Sequence, residues 1–196
     1  MTKHNPKIVL FISRNKDNKN VEGFKQRSQT FLTSEYTSVQ EETNLFKDFN
    51  NFVDKGVLGE TSRLYMSINE RDSKKVNNKL VHYLIDHPEM NPASIPSKSV
   101  SLAQSIECAV TKKWLFDFDN ENYEKLVEFK EDIHKIIGVD KQEIVHYETM
   151  NGYAVIVPHG FDTRGLLAKW NKEETIVEVK RDGMLLLEYT QLLNGQ

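Results

Sequence analysis

Two aspartates, Asp117 and Asp119, stand one residue apart in the otherwise apolar run WLFDFD at residues 114–119. Ionised carboxylates are costly to place among Trp, Leu and Phe unless a cation or hydrogen bonds compensate them. Alternate residues of a strand share a face, so we expect the two carboxylates about 6–7 Å apart on one side of a sheet. That arrangement suits hard divalent cations, which take oxygen ligands. The alternative is that the strand ends here, with both aspartates solvated and Asp119 capping the following helix.

A further carboxylate comes from the run TIVEVKRDG at residues 175–183. Its alternation places Glu178, Lys180 and Asp182 on one face of a strand and two valines on the other. In the same small sheet as Asp117, this strand would supply a third acidic side chain. The alternative is an edge strand whose mixed charges discourage pairing with other chains.

A hairpin is predicted between these runs, in the segment EIVHYETMNGYAVIVP at residues 143–158. Asn-Gly is a strong signal for a two-residue turn, so Asn151–Gly152 is the expected tip. That register places Thr149 opposite Ala154. Alternation alone leaves open whether these side chains face the carboxylates or the core.

Hydrophobic periodicity predicts the elements that would position these residues. Strands are predicted over 7–13 and 62–69, and helices over 21–32, 39–57, 74–87, 100–110 and 122–138. The segment 88–99 holds three of the five prolines, which is typical of a surface loop or linker.

The second half of the chain reads β-α-β-β-α-β-β, an order typical of ferredoxin-like or RNA-recognition-motif folds. We therefore expect an α+β fold with two parts. Residues 1–99 would form an N-terminal α/β unit. Residues 100–196 would form an RNA-recognition-motif-like antiparallel sheet with helices on one face, and the two parts would make one compact domain.

The order LFDFD, helix, TMNGYAVIVP, short helix, VEVKRDGMLLLEY resembles the core of the archaeo-eukaryotic primase superfamily, the primase-polymerases. The resemblance covers residues 110–190. It implies an RNA-recognition-motif-like sheet and template-directed nucleotidyl transfer with two Mg²⁺ or Mn²⁺ ions. A nucleoside triphosphate and a nucleic acid would be the partners.

Carried over by position, the resemblance assigns the catalytic metal ligands to Asp117, Asp119 and Asp182. Thr149 and Lys180 would help to hold the nucleotide. Where the family has a histidine that contacts the triphosphate, this chain has Ala154, and His159 in the following loop is the candidate substitute.

The composition limits the classes of function. The chain has 196 residues, of which 38% are hydrophobic and 28% charged, as in ordinary globular proteins. With a net charge of −3, nucleic-acid binding would need a local basic patch. The candidates for such a patch are Arg63, Arg71, the run 111–113, Lys169, Lys172 and Arg181.

Other sequence features point to a cytoplasmic protein with no membrane partner. Cys108 is the single cysteine, so an intrachain disulfide is excluded. No apolar run approaches the roughly 18 residues of a membrane span, and the first residues lack a secretory signal. The frequent Asn, Lys and Ile suit a phage or mobile-element product.

Two hypotheses of function follow. In the first, the protein is a small primase-polymerase-like nucleotidyltransferase, active or catalytically decayed. In the second, the same fold is a non-catalytic module that binds nucleic acid or a protein partner. The three aspartates favour the first hypothesis, and Ala154 favours the second.

Overall fold

The computed structural model describes residues 5–33, 39–172 and 175–193, with the backbone alone at residues 39–43. Within these ranges the fold is α+β, with two four-stranded antiparallel sheets and five α-helices. The strands are β1 Lys7–Ser13, β2 Arg27–Thr33, β3 Thr61–Ser67, β4 Trp114–Asp119, β5 Val145–Thr149, β6 Gly152–Val157, β7 Ile176–Lys180 and β8 Met184–Gln191. The helices are α1 Val39–Val53, α2 Ser73–Asp86, α3 Ile95–Ala103, α4 Tyr123–Ile137 and α5 Arg164–Trp170.

The chain divides into two compact units, one formed by Met1–Val110 with Leu186–Gln196 and the other by Thr111–Leu185. The sequence analysis divided the chain once, after residue 99. In the structure the chain leaves the first unit after residue 110 and returns to it near the start of β8.

The first unit is built on a sheet with the strand order β2-β1-β3-β8. Val9 and Phe11 of β1 are almost fully buried because α1 covers this face of the sheet. The Phe11 ring lies 5.5 Å from Phe49 and 5.7 Å from Phe52 between ring centroids. The predicted strands over 7–13 and 62–69 and the predicted helices over 39–57 and 74–87 are confirmed.

The helix predicted over 21–32 is wrong. Gly23 has a φ of 73°, which ends any helical course there, and Arg27–Thr33 is a strand paired with β1 along its whole length. Phe31 contacts Phe11 edge to face, with 5.2 Å between ring centroids. Sheet pairing thus overrides a sparse helical pattern, because a β1 without this neighbour would leave backbone groups unpaired.

The loop predicted over 88–99 and the helix predicted over 100–110 are also misplaced. A short 3₁₀ turn, Pro92–Ser94, leads into α3, which already begins at Ile95 and ends at Ala103. Pro96 lies in the first turn of α3, where a missing N–H costs nothing. Pro92 and Pro96 therefore lie at the starts of helical turns, and the loop after α2 is limited to residues 87–91.

The second unit has the element order β4-α4-β5-β6-α5-β7 and the strand order β5-β6-β4-β7, with every pair antiparallel. The predicted β-α-β-β-α-β order of this region is therefore confirmed. The helix predicted over 122–138 is confirmed as α4, capped by Asn122 and ended by Gly138 in the left-handed conformation. Identification of the unit as an RNA-recognition motif stays a prediction.

One face of this second sheet is the core. Phe116 and Phe118 of β4 are fully buried under α4 and α5, with Phe129 and Trp170 from the helices. Directly opposed residues of an antiparallel pair share a face, so the pairings define the other face. We call it the aspartate face. Its polar positions are Asp117, Asp119, Tyr147, Thr149, Glu178 and Lys180, and its apolar positions are Leu115, Val145, Ala154, Ile156 and Ile176, of which Leu115 and Ala154 are buried.

The hairpin turn differs from the prediction. Thr149 pairs with Gly152, so the two turn residues are Met150 and Asn151, and the predicted pairing of Thr149 with Ala154 is wrong. Gly152 has a φ of 150°, and a Cβ built on it would stand 2.1 Å from the Phe118 carbonyl oxygen. Only glycine fits at this position, because β4 approaches so closely that a Cβ would collide with it. Gly152 is therefore the first residue of β6 and is not part of the turn.

No helix in the described part of the chain combines the length and the apolarity that crossing a membrane requires.

Candidate functional site

Asp117 lies in the middle of the aspartate face, between two neighbouring strands. Ala154 of β6 is directly opposite it on one side, and Glu178 of β7 is directly opposite it on the other. Cβ atoms of such opposed residues are about 4.5–5.5 Å apart. The pairing register therefore brings two carboxylates together across β4 and β7.

Lys180 supplies the positive charge beside this pair. It lies opposite Leu115, one pleat along from Glu178, and its Nζ donates a hydrogen bond of 2.5 Å to Asp117 Oδ2. Both side chains are partly exposed, 42% for Lys180 and 31% for Asp117. Ion pairs of this exposure contribute about 0.2–1 kcal/mol, so the lysine can leave the carboxylate at little cost.

Asp119 is the last residue of β4 and lies opposite Ile176, which is 58% exposed. The alternative that Asp119 caps the following helix is wrong. Asn122 is the cap, and its side chain accepts hydrogen bonds from the N–H groups of Glu124 and Lys125. The two aspartates thus share a face one pleat apart, as the sequence predicts.

Asp182 and Asp117 are not brought together. β7 ends at Lys180, so Asp182 lies in the following turn and not on the strand with Glu178. Since β7 runs from the level of Asp119 to the level of Leu115, this turn lies at the opposite end of β4 from Asp119.

His159 lies at that same end of the sheet. It follows β6, whose Val157 is opposite Trp114, and it is exposed, with its Nδ1 3.1 Å from the Gly160 carbonyl oxygen. Thr149 lies at the other end, paired with Gly152 at the start of β6. Of the predicted residues, Asp117, Asp119 and Lys180 are close neighbours on one face, and Thr149 lies on that face two strands away. Asp182 lies in the turn after β7 and His159 in the loop after β6.

Glu178 is the residue that sequence reasoning did not assign. The alternation of TIVEVKRDG places it on the polar face together with Lys180 and Asp182. Which acid of that face meets Asp117 depends on the register between two strands about 60 residues apart, and no local signal determines this register.

A divalent cation bound by protein alone needs several oxygen ligands around one point. In the described part of the chain, no three Asp, Glu, His or Cys side chains converge as they stand on a common point that could hold a metal ion. The donors are nevertheless hard oxygens, and Mg²⁺ is commonly bound by one or two carboxylates plus substrate phosphates. The donor set therefore suits a cation that arrives with a phosphate ligand.

Four of the candidate basic residues are described by their own surroundings. Arg63 is paired with Asp17 at 2.8 Å, Arg71 is 2% exposed, and Lys169 is paired with Asp132 at 2.5 Å. The Arg181 guanidinium lies 5.3 Å from the centroid of the Trp114 ring. Arg63, Lys169 and Arg181 are thus engaged in local contacts, and a phosphate would have to compete with these for each of them.

Comparison of the chain with protein families, with curated proteins and with solved structures finds no match of any of the three kinds.

Proposed function

We propose that this protein binds a nucleoside triphosphate together with Mg²⁺ or Mn²⁺ on the aspartate face, in the manner of the primase-polymerases. Asp117, Asp119 and Glu178 would be the carboxylates of the site. The observation that carries the proposal is the direct opposition of Asp117 and Glu178 across β4 and β7, with Asp119 one pleat away. Glu178 takes the place that the sequence analysis gave to Asp182.

The charges of the face suit this function. Three carboxylates on adjacent positions repel one another, and Lys180 offsets part of that repulsion through Asp117. A divalent cation would offset it more strongly and would neutralise charge on the phosphates. Lys180 is then released to donate to a phosphate oxygen, and Thr149 would contribute a hydroxyl at the edge of the same face.

If the protein is active, the reaction class is nucleotidyl transfer to a nucleic acid in the cytoplasm, where free triphosphates are abundant. The composition suits a phage or mobile-element product.

The experiment is a calorimetric titration of Mn²⁺ premixed with a slowly hydrolysed triphosphate analogue into the full chain. We expect Asp117→Asn/Asp119→Asn to weaken binding by about tenfold or more. The matched control is Asp54→Asn/Asp86→Asn, which removes the same charge from two exposed positions. Equal binding by all three proteins would contradict the proposal. Incorporation of labelled nucleotide on a primed template then separates binding from transfer.

A second candidate function is a non-catalytic binding module on the same sheet. Ala154 favours it, because it lies opposite Asp117 where the resemblance calls for a histidine that contacts the nucleotide. The same face exposes 45% of Tyr147 and 58% of Ile176, which would provide apolar contacts for a partner. Fluorescence anisotropy with a labelled single-stranded oligonucleotide in a chelator tests it. Metal-independent binding that Tyr147→Ala weakens would favour this module over the enzyme.

A further inference from the structure

A pocket of about 180 Å³ lies at the β5 edge of the second sheet, between α4, residues 141–144 and β5. It is separate from the aspartate face, because His146 alternates with Val145 and Tyr147 and points to the helix side. Leu126 and Ile144, both at most 2% exposed, form its apolar floor.

Two basic side chains form the polar end of this pocket. Lys130 Nζ lies 3.2 Å from His146 Nδ1. An ammonium group can only donate, so Nδ1 accepts and the ring proton of the neutral imidazole is on Nε2. Burial lowers the pKa of Lys130, and burial together with the Lys130 charge lowers the pKa of His146, against the opposing effect of Glu148.

Lys130 differs from most charged groups in partly buried surroundings. Among the described residues, no carboxylate forms a salt bridge with it, and its partner is the uncharged His146. The acid nearest along the lining, Glu131, is paired with Lys141 at 2.5 Å. Half-buried charges are normally paired, so an anion entering the pocket would meet an ammonium group whose hydrogen-bond partner is an uncharged ring.

Aromatic rings stand beside this ammonium group. Tyr123 is 57% exposed at the rim, and the rings of Tyr123, His146 and Tyr153 lie 6.0–6.4 Å apart between centroids. Such spacings are typical of interacting aromatic rings. The exposed face of the Tyr123 ring can contact one further aromatic ring. The pocket volume of about 180 Å³ is close to that of cavities of roughly 150 Å³ that bind benzene, which is room for one substituted ring.

We infer that this pocket binds a small aromatic monocarboxylate, with the carboxylate on Lys130 and the ring between Tyr123 and Ile144. One ammonium group matches one negative charge, whereas a phosphate dianion would leave charge unbalanced beside a neutral histidine. The apolar floor requires a ligand with an apolar body. The inference is independent of nucleotide binding, which involves the other face of the sheet.

The probe is benzoate, titrated into the isotope-labelled full chain and followed by NMR at the His146 side chain and the surrounding amides. We expect saturable shifts there and a rise in the pKa of His146 at saturation, since the bound anion favours the imidazolium. Lys130→Met should weaken binding by about tenfold, whereas Lys135→Met, an exposed lysine of the same helix, should leave it unchanged.

Two further titrations test which chemical class of ligand the pocket binds. Benzyl alcohol, of similar size but uncharged, should bind about tenfold more weakly, and inorganic phosphate should not displace benzoate. If Lys130→Met does not fold, Val127→Trp serves instead, because it adds bulk at a 50% exposed rim position and should block the pocket. Unsaturable shifts, displacement by phosphate, or full affinity in Val127→Trp would each overturn the inference.

Discussion

Lys180 Nζ and Asp117 Oδ2 lie 2.5 Å apart, so a lysine from β7 is hydrogen-bonded to the carboxylate that the sequence marks as a metal ligand. The lysine reaches Asp117 diagonally from its position opposite Leu115, leaving Glu178 directly opposite the aspartate. The ammonium group of Lys180 offsets part of the repulsion among the neighbouring carboxylates. A cation that binds Asp117 must displace this lysine.

Replacing Lys180 with Met should change metal affinity in two opposite ways. Without the ammonium group, Mn²⁺ alone should bind more tightly by about fivefold, the equivalent of about 1 kcal/mol for such a pair. Mn²⁺ with the triphosphate analogue should bind more weakly, because the lysine no longer reaches a phosphate. Calorimetry of both titrations measures the two changes, with the exposed Lys112→Met as control. Equal changes in both titrations would mean that the lysine has no role toward phosphate.

The identity of the third carboxylate can be tested directly. Glu178→Gln should weaken binding of the Mn²⁺–triphosphate complex by about tenfold, because it removes a charge opposite Asp117. Asp182→Asn should leave binding within about twofold, since it lies in the turn at the far end of β4. The reverse order of effects would assign the role to Asp182 and show that the strand register does not define the site.

Gly152 should be intolerant of any side chain. Gly152→Ala places a Cβ 2.1 Å from the Phe118 carbonyl oxygen at a φ of 150°, and we expect a loss of about 2–4 kcal/mol in the free energy of unfolding. Gly165→Ala is the control, since nothing lies within 4 Å of its added Cβ and it lies in the first turn of α5. That control should gain up to about 1 kcal/mol. Urea denaturation measures both, and similar losses would contradict the close strand approach.

Stability of the first unit should depend on pH through Asp17. Burial raises its pKa, but hydrogen bonds from Arg14 and Arg63 outweigh burial, and the net pKa is lowered from 3.8. Because the pKa of Asp17 is lower in the folded chain, its ionised carboxylate stabilises the fold at any pH above the pKa of the unfolded chain. This stabilisation is lost as the pH falls through the pKa of the folded chain. Asp17→Asn should therefore cost about 1–3 kcal/mol at neutral pH and progressively less below about pH 4.

The measurement is urea unfolding of wild type and Asp17→Asn from neutral pH to about pH 2.5. Asp54→Asn, at an exposed position, is the control and should show no such convergence. A difference between wild type and Asp17→Asn that stays constant with pH would rule out the ionised carboxylate as the stabilising form.

The secondary structure of the second unit was largely predictable because its signals are local. The apolar periodicity of α4, its Asn122 cap and the glycine after its end all lie within the helix sequence. The strand Arg27–Thr33 was missed because it is stabilised by β1, outside the window that periodicity examines. The hairpin turn was misplaced by one residue because Gly152 is required by contact with β4, although Asn-Gly is typical of turns.

By itself, the sequence determined the α+β class, the shared face of Asp117 and Asp119, and the burial of Phe116 and Phe118, which alternate with them. These follow from alternation along a single strand, whose period of two needs no information from elsewhere. Only the tertiary structure decided that Glu178, and not Asp182, meets Asp117, that Lys180 pairs with that aspartate, and that Lys130 and His146 share a pocket. Each of these relationships joins two different elements, which are 16 residues apart for Lys130 and His146 and 63 apart for Lys180 and Asp117. Their register and packing depend on the whole core, so no short segment specifies them.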